Sequence, residues 1–183
     1  MYNMPYMMYQ NPCCCSSYGM DFTKSALERS LKLVKEAIAG EREDELFYDY
    51  LISKAPTKEQ KDIITSIRND EIKHRKLFRQ IYKAFTGMDV GEVSEEKFQK
   101  PKSYIDGIKR ALFNELKAME KYRIIRQGLP SRCYRDVVFE ILTDEIKHAI
   151  KYNYILNLNL SKKDKKKDMC DRLDCNEMRS IMW

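Results

Sequence analysis

The sequence has few helix-breaking residues and no apolar run long enough to cross a membrane. It contains six glycines and five prolines in 183 residues, and 34% of its residues are charged. This composition favours long helices with water-facing sides over turn-rich β architecture, so we expect an all-α protein. The first residues also lack a basic segment followed by an apolar one. We therefore expect no membrane span, no export signal and a cytoplasmic protein.

Cysteine pairs of the metal-binding kind are missing too. None of the six cysteines forms the Cys-x-x-Cys pattern of a rubredoxin or structural zinc site, so neither module is expected. The formal charge of +6 arises largely from the run 162–167 (KKDKKK). Such a run is typical of a solvated tail, and we expect no nucleic-acid partner.

The chain divides into three segments. Residues 1–20 are rich in Met, Tyr and Cys and have no helical period, which indicates a disordered or assembly tail. Residues 21–160 have the apolar period of a helical domain large enough to bury its own core. Residues 161–183 are basic and then mixed, and we expect at most a short helix there.

Four helices are predicted in the central segment from apolar periodicity and capping residues. Thr57 is the expected N-cap of the second helix, with Gln60 completing a capping box, and Gly87 follows its end. The long connection 87–100 joins two tight hairpins, which is the connectivity of a ferritin-like antiparallel four-helix bundle with a crossover. The predicted helices are 21–53, 57–85, 101–127 and 131–158.

The two hairpins are duplicates of one another. A shift of 74 residues places the run 70–74 (DEIKH) on the identical run 144–148, and it places Glu41 on Glu115. The period is too long for the common solenoid repeats and occurs only twice. The duplication therefore predicts a pseudo-twofold bundle.

Each repeat contains a Glu-x-x-His motif, whose two residues project from the same face of a helix. Both histidines of the chain lie in these motifs, and each motif follows another Glu by thirty residues. All four carboxylates lie on otherwise apolar stripes, where an unpaired charge costs several kcal/mol. Two divalent cations would compensate them. One Glu from each of two helices and a Glu-x-x-His from each of the other two is the ligand scheme of dinuclear carboxylate bundles.

These motifs resemble the ferritin-like superfamily, and within it the rubrerythrin branch, over about residues 25–158. The resemblance rests on the Ala-x-Ala-Gly-Glu run at 37–41, both Asp-Glu-x-x-His runs and two tyrosines. It implies that Asp70 and Asp144 accept a hydrogen bond from a ligating imidazole and that Tyr48 or Tyr122 donates one to a ligand carboxylate. The metal ligands that it implies are Glu41, Glu71, His74, Glu115, Glu145 and His148.

The chain departs from the family pattern in two respects. Typical rubrerythrins have a further Glu one turn after the third-helix ligand, where this chain has Ala118; in the first repeat Asp44 or Glu45 would be the substitute ligand. The rubredoxin-like part is also missing. Reducing electrons are therefore expected from a separate donor, such as a rubredoxin-like protein.

Mixed carboxylate and imidazole ligation suits two iron ions, with manganese possible. The expected activity is reduction of hydrogen peroxide, oxidation of ferrous iron by peroxide or dioxygen, or both, in oxidative-stress defence and iron handling. One alternative is a manganese catalase-like enzyme, which needs no external reductant. Another is a structural coat or shell component that uses the bundle as a scaffold and the Met, Tyr and Cys-rich head for docking. A homodimer is expected by analogy alone.

Overall fold

The computed structural model describes residues 24–39, 41–91 and 98–180, and their side chains except those of 41, 42 and 161–180. Every regular element in these ranges is a helix. The predicted tail 1–20 lies outside the described residues. The helices are α1 (Lys24–Ile38), α2 (Glu41–Lys54), α3 (Lys58–Thr86), α4 (Tyr104–Gly128) and α5 (Arg132–Ser180).

The first predicted helix is divided in two. α1 ends at Ile38 and α2 begins at Glu41, so the expectation of one continuous helix over 21–53 was wrong. The sequence between them includes Gly40, a poor helix former because it loses the most backbone entropy on folding. α1 and α2 together fill one position of the bundle.

Capping residues fix the ends of the next two helices. Thr57 Oγ1 accepts a hydrogen bond from the Gln60 backbone N–H at 3.3 Å, as predicted for the N-cap. The expected capping box was wrong, because Gln60 Oε1 instead accepts hydrogen bonds from the Tyr104 hydroxyl and from Asn159 Nδ2. Gly87 ends α3 with a φ of 71°, a left-handed conformation that glycine adopts without strain. α4 begins at Tyr104 rather than at Pro101, because Ser103 is its N-cap and accepts from the Asp106 N–H at 3.1 Å.

α1 and α2 run antiparallel to both α3 and α4. Along α3, Arg68 pairs with Asp49 and the later Arg75 pairs with the earlier Asp44. Along α4, Arg110 contacts Glu43, and the later Ile125 accepts a hydrogen bond from the earlier Ser30. α3 and α4 are therefore parallel, and the chain must travel the length of the bundle between them.

α5 is antiparallel to α3, since Ser66 contacts Lys151 and Lys73 contacts Glu140. Two antiparallel pairs joined by a long crossover confirm the predicted ferritin-like bundle. α5 continues to Ser180, so the expectations that it would end near Leu158 and that 161–183 would hold at most a short helix were wrong. The span from 132 to 180 contains no glycine or proline, and lysine is a good helix former.

The core consists of two apolar clusters, one toward each end of the bundle. The first centres on Phe78 and Ile141 and the second on Ile67 and Tyr152, all nearly inaccessible to solvent. The Glu-x-x-His motifs lie between these two clusters along α3 and α5. Within the described residues, no helix is long and apolar enough to span a membrane.

Candidate metal centre

α3 and α5 bring the two Glu-x-x-His motifs face to face. The rings of His74 and His148 are stacked with their centroids 5.8 Å apart, and both are almost fully buried. The helical spacing places Glu71 and Glu145 on the same inward faces as the two histidines. The duplication thus produces a pair of facing donor sets in the middle of the core.

The donor atoms of these sets converge. Glu71 Oε1 lies 3.4 Å from His74 Nδ1 and 3.2 Å from His148 Nδ1, so it sits between the two imidazoles. Glu145 Oε1 lies 3.1 Å from His74 Nδ1, and Glu115 Oε2 of α4 lies 3.9 Å from His148 Nδ1. One ligand atom from each of Glu71, Glu115, Glu145 and His148 lies within 4.8 Å of the others.

Four of these facing atoms are buried and have no hydrogen-bond partner among the described residues. They are close together but not oriented to hydrogen bond to one another. A buried polar atom without a partner costs about 1–3 kcal/mol, so several in one place need a further binding partner. A divalent cation would satisfy all of them, and the residues present therefore fit metal ions. The atoms are Glu71 Oε1, His74 Nδ1, Glu145 Oε1 and His148 Nδ1.

The outer nitrogens of the imidazoles contact aspartates, each from the opposite motif. His74 Nε2 lies 3.1 Å from Asp144 Oδ2, and His148 Nε2 lies 3.0 Å from Asp70 Oδ2. A proton on Nε2 donated to the aspartate leaves the lone pair of Nδ1 directed at the carboxylates, as a metal ligand requires. Lys147 Nζ, 2.6 Å from Asp144 Oδ1 and 3.8 Å from Asp70 Oδ2, holds the two aspartates in place.

The protonation states of the side chains in the site depend strongly on one another. Burial lowers the pKa of His74, but the carboxylates of Glu145 and Glu71 outweigh it and raise that pKa to about 10. Burial raises the pKa of Glu71, but the two imidazoles outweigh it and lower that pKa to about 2. Burial and then the Glu145 carboxylate raise the pKa of Glu115 well above its usual range. The metal-free site therefore holds protons that a bound cation would displace.

A cavity of about 130 Å³ adjoins the carboxylates between α2 and α4. A water molecule takes about 30 Å³ of liquid volume, so the cavity suits molecules the size of peroxide or dioxygen. Burial raises the pKa of Tyr48 and that of Tyr122, so both phenols on its wall keep their protons. Their predicted hydrogen bonds to ligand carboxylates stay a prediction. The cavity is lined by Asp44, Phe47, Tyr48, Glu71, Ala111, Asn114, Glu115, Ala118, Tyr122 and Glu145.

Of the two residues considered as substitute ligands, Asp44 lines this cavity and Glu45 does not. Asp44 Oδ2 lies 3.1 Å from Nη1 of Arg75, a buried cation that the sequence reasoning missed. Burial raises the pKa of Asp44 to about 6, against the lowering effect of Arg75. The sequence signal for this pair was a difference between the two repeats. The second repeat has alanine at both positions equivalent to Asp44 and Arg75, which are 118 and 149.

Glu41, the remaining predicted ligand, begins α2, and its side chain lies outside the described residues. A duplicated helical bundle with a buried glutamate and histidine cluster defines the class of ferritin-like metal-binding carboxylate proteins. Comparison with known protein families gives a match to Rubrerythrin over residues 32–153. The match covers well over half of the chain and includes every predicted ligand, and the chain belongs to the Rubrerythrin family. No curated protein and no solved structure matched the chain.

Proposed function

We propose that the protein binds two iron ions in this cluster and uses them to reduce hydrogen peroxide, to oxidise ferrous iron with peroxide or dioxygen, or both. The observation that carries the proposal is the convergence of buried donor atoms without hydrogen-bond partners beside a small cavity. Two bound ferrous ions would supply the two electrons that, with two protons, reduce one peroxide to two waters. A separate electron donor would return the centre to its reduced state for the next turnover.

The position of each carboxylate suggests its role toward the ions. Glu71 Oε1 lies between the two imidazole Nδ1 atoms, which supports a role shared between two ions, and the duplication supports the same role for Glu145. Glu115 and, by the repeat, Glu41 would then each serve one ion. Four carboxylates and two neutral imidazoles balance two divalent ions, and an oxygen-rich set with imidazole suits Fe(II) or Mn(II) better than zinc or copper.

Protein groups around the cavity supply the protons that peroxide reduction consumes. Asp44 lies on the cavity wall, and its pKa of about 6 suits a group that exchanges protons with solvent near neutral pH. Tyr48 and Tyr122 line the cavity and keep their hydroxyl protons, so they would hold a small oxidant by hydrogen bonds. Asp70 and Asp144 keep the imidazole Nδ1 atoms directed at the ions.

Metal analysis tests the site. We expect two irons per chain after anaerobic loading with Fe(II), and loss of both in the Glu71→Ala, Glu145→Ala double variant. Glu120→Ala is the matched control, since Glu120 is an exposed α4 glutamate paired with Arg123 away from the cluster. A double variant that keeps its iron would overturn the assignment.

Peroxide consumption tests the chemistry. Iron-loaded protein should consume one peroxide for every two ferrous ions oxidised, and turnover should require added reductant. Oxygen evolution by manganese-loaded protein without reductant would instead identify a catalase-like enzyme. If the protein binds its full complement of metal but neither oxidises ferrous iron nor consumes peroxide, the proposed reaction is overturned. The proposed metal site would still stand.

A further inference from the structure

Tyr152 of α5 carries a polar group in the apolar core, one helical turn beyond His148. Its side chain is inaccessible to solvent, and its hydroxyl has no hydrogen-bond partner among the described residues. A buried hydroxyl without a partner is costly, because it has given up its hydrogen bonds to water. On packing grounds alone a phenylalanine would suit this position better.

The duplication shows what this position needs for packing. The residue equivalent to Tyr152 in the first hairpin is Phe78, which is also almost fully buried. Phe78 packs against Tyr122 with the ring centroids 4.8 Å apart. An aromatic ring without a hydroxyl is therefore sufficient in the first hairpin. The hydroxyl of Tyr152 is an addition on one side of the metal centre, and packing does not require it.

The same symmetry identifies a neighbour of the Tyr152 hydroxyl. Tyr48 is the repeat equivalent of Tyr122, the partner of Phe78. The duplication therefore places Tyr48 beside Tyr152, and both belong to the same buried cluster. Burial and then the Glu115 carboxylate raise the pKa of Tyr152, whereas the Tyr48 side chain lowers that pKa. The two hydroxyls are neighbours, although they are not oriented to hydrogen bond in the metal-free protein.

Tyr48 reaches the cavity and Tyr152 does not. Tyr48 lines the cavity together with the carboxylates, and Tyr152 is not among the lining residues. A tyrosine hydroxyl has a single proton to donate, and its oxygen can accept a hydrogen bond at the same time. If Tyr152 donates to the Tyr48 oxygen, the Tyr48 proton is left to point into the cavity. Hydrogen bonds in such a chain also strengthen one another.

We propose that Tyr152 is a positioning residue whose hydroxyl donates to the oxygen of Tyr48 and directs the Tyr48 proton at a small molecule in the cavity. The inference rests on the proposed function, which brings peroxide or dioxygen into this cavity. Tyr122 packs against Phe78, which has no hydroxyl, so it has no equivalent support. The two sides of the cavity therefore hold a small molecule unequally, and the stronger hydrogen bond comes from Tyr48.

Azide binding tests the positioning role. Azide is a small anion that can occupy the cavity in place of peroxide, and absorption spectroscopy follows its binding to iron-loaded, oxidised protein. Tyr152→Phe should weaken azide binding about fivefold, as expected for the loss of one neutral hydrogen bond. Tyr134→Phe is the matched control, because Tyr134 lies on the same helix but packs against the other apolar cluster. A Tyr152→Phe variant with native azide affinity, or a native protein that binds no azide, would overturn the proposal.

A double variant tests whether Tyr152 acts through Tyr48. In a Tyr48→Phe background, the added Tyr152→Phe should leave azide affinity unchanged, because the hydroxyl that it positions is already missing. A further loss of affinity would show that Tyr152 acts on another group, such as the Glu115 carboxylate. That result would contradict the positioning of Tyr48.

Thermal unfolding of the metal-free protein separates this inference from the proposed function. Tyr152→Phe keeps the ring that is sufficient at Phe78 and removes an unpartnered hydroxyl, so Tm should rise by about 2–4 °C. A lower Tm would show that the fold already satisfies the hydroxyl, and the proposal would fail. If azide affinity and Tm change as expected but the native protein consumes no peroxide, the proposed function fails and the positioning role stands.

Discussion

The carboxylate of Asp44 lies 3.1 Å from the guanidinium of Arg75, across the contact between α2 and α3. Arg75 is buried, whereas about half of the Asp44 side chain is exposed at the cavity. In the second repeat the same two positions are Ala118 and Ala149. The two charges therefore occur together in one hairpin and are missing together from the other. A buried cation needs a counter-charge, which explains the coupling.

We expect Asp44→Ala to destabilise the metal-free protein by about 1–2 kcal/mol, because it leaves the Arg75 charge with less compensation. The double variant with Arg75→Ala should lose less than the sum of the two single variants, since the second hairpin packs two alanines at these positions. Urea unfolding of the four proteins gives the coupling energy directly. Strictly additive losses would show that the pair does not act as a unit.

Local sequence information was sufficient for much of the fold. Apolar periodicity and the caps at Thr57 and Gly87 predicted the helices, and the long connection predicted the crossover. The division between Ile38 and Glu41 was missed because one glycine in a strongly periodic stretch is weak evidence against a helix. The extent of α5 was missed because the sequence after Leu158 lacks an apolar period, although it also contains nothing that stops a helix.

The site was predictable where the duplication repeats and not where the copies differ. Glu71, Glu115 and Glu145 could be chosen because each has an equivalent in the other hairpin. Each histidine contacts the aspartate of the opposite motif rather than that of its own motif. This pairing depends on the register of α3 against α5, which no local sequence pattern encodes. Arg75 follows His74 in sequence, and an arginine there is normally assigned to solvent. Its burial depends on Asp44 of another helix.

The contact between Asp144 and His74 should matter to metal affinity. Asp144→Asn replaces the charged acceptor with a neutral amide, so the imidazole is held less firmly and is a weaker ligand. We expect iron binding to weaken by about 10–100-fold, with a similar loss for Asp70→Asn at the equivalent contact with His148. Chelator competition measures this, and exposed Asp62→Asn serves as the control. If both variants bind iron with the native affinity, the two aspartates do not support the metal ligands.

The stability of the metal-free protein should depend on pH through His74. Its pKa is raised from 6.5 to about 10 in the folded state. A raised pKa means that protonation favours folding, so this contribution is fully present below about pH 6.5 and is lost as the pH rises toward 10. Thermal unfolding of metal-free protein should show a lower Tm at pH 9.5 than at pH 6.5. In His74→Gln this alkaline decline should be smaller; an equal decline would assign it to other groups.

The Glu115 carboxylate should stabilise the metal-loaded protein and destabilise the metal-free protein. Glu115 is buried, and burial and then the neighbouring Glu145 raise its pKa, so the metal-free protein disfavours its charge. Glu115→Gln keeps the shape and removes the charge. We expect it to raise the metal-free unfolding free energy by about 1 kcal/mol and to weaken iron binding by at least tenfold. Glu120→Gln, on the exposed side of α4, should change neither quantity.

Because iron would stabilise the native protein more than the Glu115→Gln variant, the order of their Tm values should reverse on metal loading. A variant less stable than the native protein in both states would show that the Glu115 carboxylate is satisfied within the chain, and the argument that its charge awaits a cation would fail.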